Sequence, residues 1–234
     1  MRKKRTNVLV IGHSFVTRLE QLLGRSDAFQ ADFNLAQCEI RCFGLSGGRV
    51  ENLLKNQDLQ YYITSFKPVV IILQIGGNDI CSVSARPETV ACNISELMET
   101  MGKFDCVQVD VVCELFRRTR PRNISPQMYE EKRNIINNML PVLLEGRHNK
   151  KFMFWLHLRL MNSPLHILSS DGLHIAVYVV HICHCTCHLT REIGEQQRCP
   201  LGSRPNGGGN KYPRSRERLN TQKRMRRCNP LLQQ

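Results

Sequence analysis

Residues 69–79 read Val-Val-Ile-Ile-Leu-Gln-Ile-Gly-Gly-Asn-Asp, and this stretch decides the predicted fold. Seven residues, almost all apolar and rich in β-branched side chains, follow Pro68 and end at a pair of glycines. A short apolar run between Pro and Gly is typical of a strand that is buried on both faces. Strands of that kind belong to parallel sheets that are covered by helices on each side.

The rest of the chain repeats the alternation of short apolar runs with longer helix-like stretches. The helix-like stretches show apolar residues at helical spacing, and each connects two apolar runs. The predicted strands cover residues 7–11, 38–43, 69–75, 105–115 and 151–156, and the predicted helical stretches cover 15–23, 50–63, 88–101 and 127–144. We therefore expect one doubly wound α/β domain over residues 6–180.

The formal net charge of +13 is concentrated at the two ends of the chain. Residues 2–5 contribute +4 and residues 191–234 contribute +8, which leaves +1 for the 185 residues between them. Residues 194–234 are rich in Gly, Arg and Lys and lack apolar periodicity, so we expect a disordered basic tail. Such a tail could contact phosphates, so weak nucleic-acid binding is one expectation, and a simply solvated tail is the alternative.

The eleven cysteines and the short first apolar run indicate the compartment. The run at residues 8–11 is too short for a secretory signal, and we expect reduced thiols in a cytoplasmic or nuclear protein. No apolar run is long enough to span a membrane. Residues 181–193 form a Cys/His-rich junction, but ligands this dense on one segment cannot all face one ion, so we expect no metal site.

Ligands of open α/β sheets bind at the carboxyl ends of the strands, so the residues that follow the strands are the candidates for chemistry. Gly12-His-Ser14 follows the first strand and Gly44-Leu-Ser-Gly-Gly48 the second. Gly76-Gly-Asn-Asp79 follows the third, and Ser169-Ser-Asp-Gly-Leu-His174 lies beyond the fifth. A hydroxyl, two glycine turns, an amide and an Asp/His pair would then converge on one edge of the sheet.

These four blocks resemble the SGNH hydrolases, also called GDSL-type esterases. The nucleophile block of that family is similar to residues 8–14, its glycine block to residues 44–47, its Gly-x-Asn-Asp block to residues 76–79 and its Asp-x-x-His block to residues 171–174. The resemblance covers about residues 7–175. It implies a flavodoxin-like three-layer α/β/α sandwich with a five-stranded parallel sheet, and hydrolysis of esters or thioesters from a small-molecule substrate without a metal or another cofactor.

The resemblance also implies a role for each matching residue. Ser14 would be the nucleophile, His174 the general base, and Asp171 the residue that orients the imidazole of His174. The backbone N–H groups of Ser14 and Gly47 and the side-chain amide of Asn78 would form the oxyanion hole.

Two departures from the family leave an alternative open. His13 stands where the family usually has aspartate, and residues 175–188 are β-branched and irregular where the family has an amphipathic closing helix. Gly-His-Ser together with a basic tail resembles the divergent copies of this domain in animal retroelement-like open reading frames. Ser14 could also be a helix N-cap. The alternative function is therefore a catalytically inactive SGNH-like binding module, one that could associate with nucleic acid through its basic termini.

Overall fold

Five strands and five helices alternate along the part of the chain that this computed structural model describes, residues 5–25, 37–145 and 151–156. The strands are β1 (Thr6–Gly12), β2 (Cys38–Gly44), β3 (Val70–Gln74), β4 (Val109–Cys113) and β5 (Lys151–Trp155). The helices are α1 (Ser14–Arg25), α2 (Val50–Leu54), α3 (Gln57–Phe66), α4 (Pro87–Gly102) and α5 (Pro126–Glu145). Within those ranges, no helix has the length and apolar character that crossing a bilayer requires.

All five strands are parallel, and they lie in the order β2-β1-β3-β4-β5. This is the flavodoxin-like order, in which the chain leaves β1 toward one side of the sheet and returns at β3 on the other side. The predicted five-stranded parallel sheet is therefore confirmed. The crevice between the loops that follow β1 and β3 is the place where ligands bind in this topology.

Helices cover both faces of the sheet, as the apolar character of the strands predicts. Leu9 and Ile11 of β1 pack in a core with α2, α3, α4 and α5. Val8 and Val10, which alternate with them, pack in a second core with α1. All five residues of β3 and all five of β4 are buried. The three-layer arrangement is thus confirmed in the described part of the chain.

Two predicted segments differ from the structure by more than two residues. The stretch 50–63 was predicted as one helical segment, but it forms α2 and α3, because the Asn56 side chain accepts a hydrogen bond from the Leu59 N–H (2.8 Å) and begins a new helix there. The stretch 105–115 was predicted as a strand, but β4 begins only at Val109. A backbone bond from the Val107 N–H to the Phe104 carbonyl (3.0 Å) makes a turn before it.

The register brings the ends of β1, β2 and β3 to one level. Gly12 at the end of β1 lies opposite Gly44 of β2 and Gln74 of β3. A Cβ on Gly44 would overlap the backbone nitrogen of Thr17, so glycine lets α1 pack directly against the end of β2. The loops that carry the first three motif blocks therefore start side by side.

The basic tail (194–234) and the Cys/His-rich junction (181–193) lie outside the described residues, as does the segment of residues 157–180. The expectations of disorder, of nucleic-acid binding and of no metal at the junction thus stay predictions.

Candidate active site

Ser14 is the first residue of α1, and His13, the residue directly before it, is the N-cap of this helix. The His13 carbonyl accepts hydrogen bonds from the N–H groups of Val16 (2.8 Å) and Thr17 (3.3 Å), and its Nδ1 accepts one from Phe15 (3.3 Å). The His13 side chain is buried. Since His13 performs the capping, Ser14 is not the N-cap, and the helix itself does not use the backbone N–H of its first residue. Imidazole thus takes a hydrogen bond at the turn where the family has a carboxylate.

Replacing His13 with alanine will lower the free energy of unfolding by about 1–2 kcal/mol, because the Phe15 N–H loses its acceptor at a buried helix end. Asparagine has an oxygen acceptor suited to this position, so His13→Asn will recover part of the loss although it is smaller than histidine. Urea denaturation at pH 7 measures both variants. Equal stability of the wild type and His13→Ala would contradict the capping role.

Gly47 occupies a turn that only a residue without Cβ adopts at little cost. The Gly48 N–H donates to the Leu45 carbonyl (2.8 Å), and Gly47, the third residue of this turn, has φ of 72°. A positive φ at that position is the requirement of a type II turn. A Cβ built on Gly47 would meet no atom of the described residues within 4 Å, so the space beside it is open in this part of the chain. Its backbone can therefore be approached closely by a ligand.

The Asn78 side chain is held by two hydrogen bonds that set its orientation. Its Nδ2 donates to the Gly48 carbonyl (3.0 Å), and its Oδ1 accepts from Nη2 of Arg118 (3.1 Å). A guanidinium can only donate and a carbonyl can only accept, so the two contacts assign the oxygen and the nitrogen of the amide consistently. The Nδ2 group carries a second N–H that can be donated to a ligand. The contact with Gly48 also joins the loop after β3 to the loop after β2.

Arg118 belongs to none of the four motif blocks, although the loop of residues 117–125 that contains it was expected to shape the substrate pocket, and it lines the cavity with Ser14. Its Nη1 donates to the Gly77 carbonyl (2.9 Å) and contacts Sγ of Cys81 (3.3 Å), and its guanidinium lies 5.5 Å from the ring centroid of Tyr129. The side chain is buried, with 8% of its surface exposed. The strand-end reading covered β1, β2, β3 and the stretch beyond β5 but not the residues after β4. Applying the same rule to β4 would have led to Arg118, five residues beyond Cys113.

Asp79, the last residue of the Gly-Gly-Asn-Asp block, supports α2. Its Oδ1 accepts a hydrogen bond from the N–H of Val50, the first residue of that helix (3.0 Å). Burial raises the pKa of Asp79, against the opposing effects of the Val50 N–H and the charges of Arg49 and Arg118. The contact fixes the start of α2 next to the glycine turn, so Asp79 has a structural task here.

Ser14, Gly47 and Asn78 line one cavity of about 470 Å³, together with Arg118. The structure thus brings together the predicted nucleophile and the residues predicted to form the oxyanion hole. This volume lies within the usual range of small-molecule sites. Asp171 and His174 lie outside the described residues, so their predicted roles stay predictions.

Comparison with known proteins finds similarity at the level of structure. No family model matches the sequence, and no curated protein matches it. Among solved structures, a GDSL-like lipase from Bacteroides thetaiotaomicron is similar with a TM-score of 0.58 and 13% identity, over 81% of this chain and 89% of that one. A mutant acetyl esterase with an acetate ion has a TM-score of 0.58 and 12% identity, over 82% of this chain and 99% of that one. An acetylxylan esterase from Geobacillus stearothermophilus has a TM-score of 0.54 and 16% identity, over 83% of this chain and 97% of that one.

These structures share a fold with this chain at 12% to 16% identity. The chain therefore has the fold of the SGNH, or GDSL-like, hydrolases, as the four motif blocks predicted. None of these comparisons tests the resemblance to retroelement-like reading frames. Since one fold hosts many functions, the activity has to be argued from the site.

Proposed function

We propose that the protein is a serine esterase of the SGNH type that cleaves carboxylic esters or thioesters through an acyl-Ser14 intermediate. The observation that carries the proposal is the convergence of Ser14, Gly47 and Asn78 on one cavity at the carboxyl ends of β1, β2 and β3. The solved structures of the same fold include a lipase and two esterases that act on acetyl groups, by their names.

In the proposed mechanism, Oγ of Ser14 attacks the acyl carbon while His174 takes the serine proton. The tetrahedral intermediate collapses, the bond to the alcohol or thiol breaks, and His174 returns the proton to that leaving group. Water then attacks the acyl-serine, again with His174 as base, and releases the acid and the free serine. Asp171 would hold the imidazole in the right orientation and stabilise its cationic form.

The oxyanion that forms in each half of the reaction would be stabilised by three donors. Ser14 contributes its backbone N–H at the start of α1, where the helix dipole favours negative charge. Gly47 contributes a backbone N–H from the open turn, and Asn78 contributes the second N–H of its Nδ2. Arg118 holds the Asn78 amide through Oδ1, so this donor needs little reorganisation when the charge develops.

A fluorophosphonate probe tests the proposal directly, because it reacts with serines that a base activates. We expect the full-length protein to be labelled on one peptide, the one that contains Ser14, as identified by mass spectrometry. Heat-denatured protein and the Ser14→Ala variant should remain unlabelled. A folded wild type that stays unlabelled would overturn the proposal and leave the inactive binding module as the reading to pursue.

A further inference from the structure

The cavity that holds Ser14 is lined by arginines from three different parts of the fold. Arg18 lies one turn along α1, Arg49 directly precedes α2, and Arg118 and Arg122 lie in the loop after β4. Among the described residues that line the cavity, none is Asp or Glu. The described lining therefore contains four arginines and no carboxylate.

One of these arginines is buried and held by hydrogen bonds within the protein, and the other three are exposed to solvent. Arg118 is buried, and its contacts go to Gly77, Asn78 and Cys81. Arg18, Arg49 and Arg122 are exposed. Within the described ranges, neither Arg49 nor Arg122 forms an ion pair.

Two carboxylates sense the charge of Arg49, and each forms its contact with another residue. Among the described carboxylates with a shifted pKa, the charge of Arg49 acts to lower the pKa values of Asp79 and Glu51. Glu51 pairs with Lys55 at 2.6 Å, and Asp79 accepts the Val50 N–H. The guanidinium of Arg49 is therefore not neutralised by a direct contact with either of them.

The same cavity offers little to an apolar substrate. Cys81 is the one apolar side chain among the described lining residues, and the others are polar, charged or glycine. A long acyl chain gains affinity from the apolar surface that it buries, and the described walls are mostly polar. Recognition by the described walls must therefore come mainly from hydrogen bonds and charge.

We propose that the substrate is a soluble, short-chain ester that carries an anionic group, a carboxylate or a phosphate, which Arg49 and Arg122 bind while the ester carbonyl lies at Ser14. This inference rests on the proposed function and names its substrate class. Guanidinium groups suit both anions because they donate two parallel N–H groups to two oxygens. Arg18 adds positive charge on the α1 side of the same cavity.

Three acetate esters of similar size test the preference. 4-Acetoxybenzoate carries a carboxylate, 4-acetoxyphenyl phosphate carries a phosphate, and 4-acetoxybenzamide is neutral. After each rate is corrected for spontaneous hydrolysis, we expect kcat/KM to be about tenfold higher for either anionic ester than for the amide at low salt. The preference should shrink toward unity at 0.5 M NaCl, because salt screens charges on exposed side chains.

Variants that remove one positive charge each identify the arginines that cause the preference for anionic esters. Arg49→Gln and Arg122→Gln should each reduce the preference by up to about fivefold, the upper range for an exposed ion pair. Arg86→Gln is the matched control, because it removes one exposed positive charge at the start of α4, outside the lining of this cavity. Equal kcat/KM for all three esters in the wild type would overturn the inference, as would an equal loss of preference in all three variants.

Binding to the Ser14→Ala variant separates this inference from the proposed function. Titration calorimetry on that variant should show tighter binding of 4-acetoxybenzoate than of 4-acetoxybenzamide, and adding Arg49→Gln should reduce the difference. If the wild type hydrolyses all three esters equally in a Ser14-dependent way, the esterase proposal stands and the anion site fails. If no ester is hydrolysed, the esterase proposal fails, and equal binding of acid and amide would overturn the anion site as well.

Discussion

Replacing Ser14 with alanine will reduce the hydrolysis of p-nitrophenyl acetate by at least about 10⁴-fold, to the residual rate that the oxyanion donors and substrate binding support. The reason is that Ser14, at the end of β1, is the only route to the acyl intermediate in the proposed mechanism. The loss should appear in kcat, because the oxyanion donors and the cavity remain. Chromophore release under saturating substrate measures it, and circular dichroism checks that the fold is retained.

The matched control is Ser65→Ala. Ser65 is an exposed serine on α3 that does not line the described cavity, and its hydroxyl donates to the Tyr62 carbonyl (3.1 Å). Its replacement should leave the rate within a factor of two. Groups that act as one unit are strongly non-additive, so Ser14→Ala combined with His174→Ala should be scarcely slower than Ser14→Ala alone. Equal rates for the wild type and Ser14→Ala would exclude the serine mechanism.

Replacing Asn78 with alanine will lower kcat by about 10²- to 10³-fold while KM changes only a few-fold. The amide N–H is needed where negative charge develops in the transition state, so its loss affects the chemical step more than substrate binding. Steady-state kinetics on p-nitrophenyl acetate separate kcat from KM. The substitution also removes the contact with Gly48, so the stability of the variant is measured in parallel and the rate is expressed per folded molecule.

Two further variants distinguish the donor role of Asn78 from a structural role. Asn138→Ala is the control, because Asn138 lies on the exposed face of α5, and its kcat should equal that of the wild type. Arg118→Met removes the group that holds Oδ1 of Asn78, so kcat should fall in the same direction by a smaller factor. If Asn78→Ala lowered stability but left kcat per folded molecule unchanged, the amide would be a loop tether and not an oxyanion donor.

Much of the sheet could be predicted from the sequence because its signals are local. The apolar run at residues 69–75 predicts β3, and the glycines that follow it predict the next loop. The end of a helix is harder to predict where the hydrogen bond of a single side chain determines it. Asn56 divides one helical stretch into two by accepting one hydrogen bond from Leu59, and apolar spacing carries no trace of that bond.

The site could be predicted only in part. Ser14, Gly47 and Asn78 were found because they stand in motif blocks at strand ends. Arg118 belongs to no block, and its importance comes from contacts with Gly77 and Asn78, some 40 residues earlier in the chain. The capping role of His13 was likewise not predicted, because an imidazole in place of a carboxylate indicates a departure without saying which bond replaces the lost one.

The sequence by itself determined the fold class and the candidate nucleophile, since residue type and spacing act within a few positions along the chain. Only the tertiary structure decided that β1, β2 and β3 end at one level, at Gly12, Gly44 and Gln74, so that the loops after them meet around one cavity. It also decided that arginines from α1, from the start of α2 and from the loop after β4 share the walls of that cavity. Charge at a site depends on distances between segments, and those distances exist only once the parallel sheet has formed.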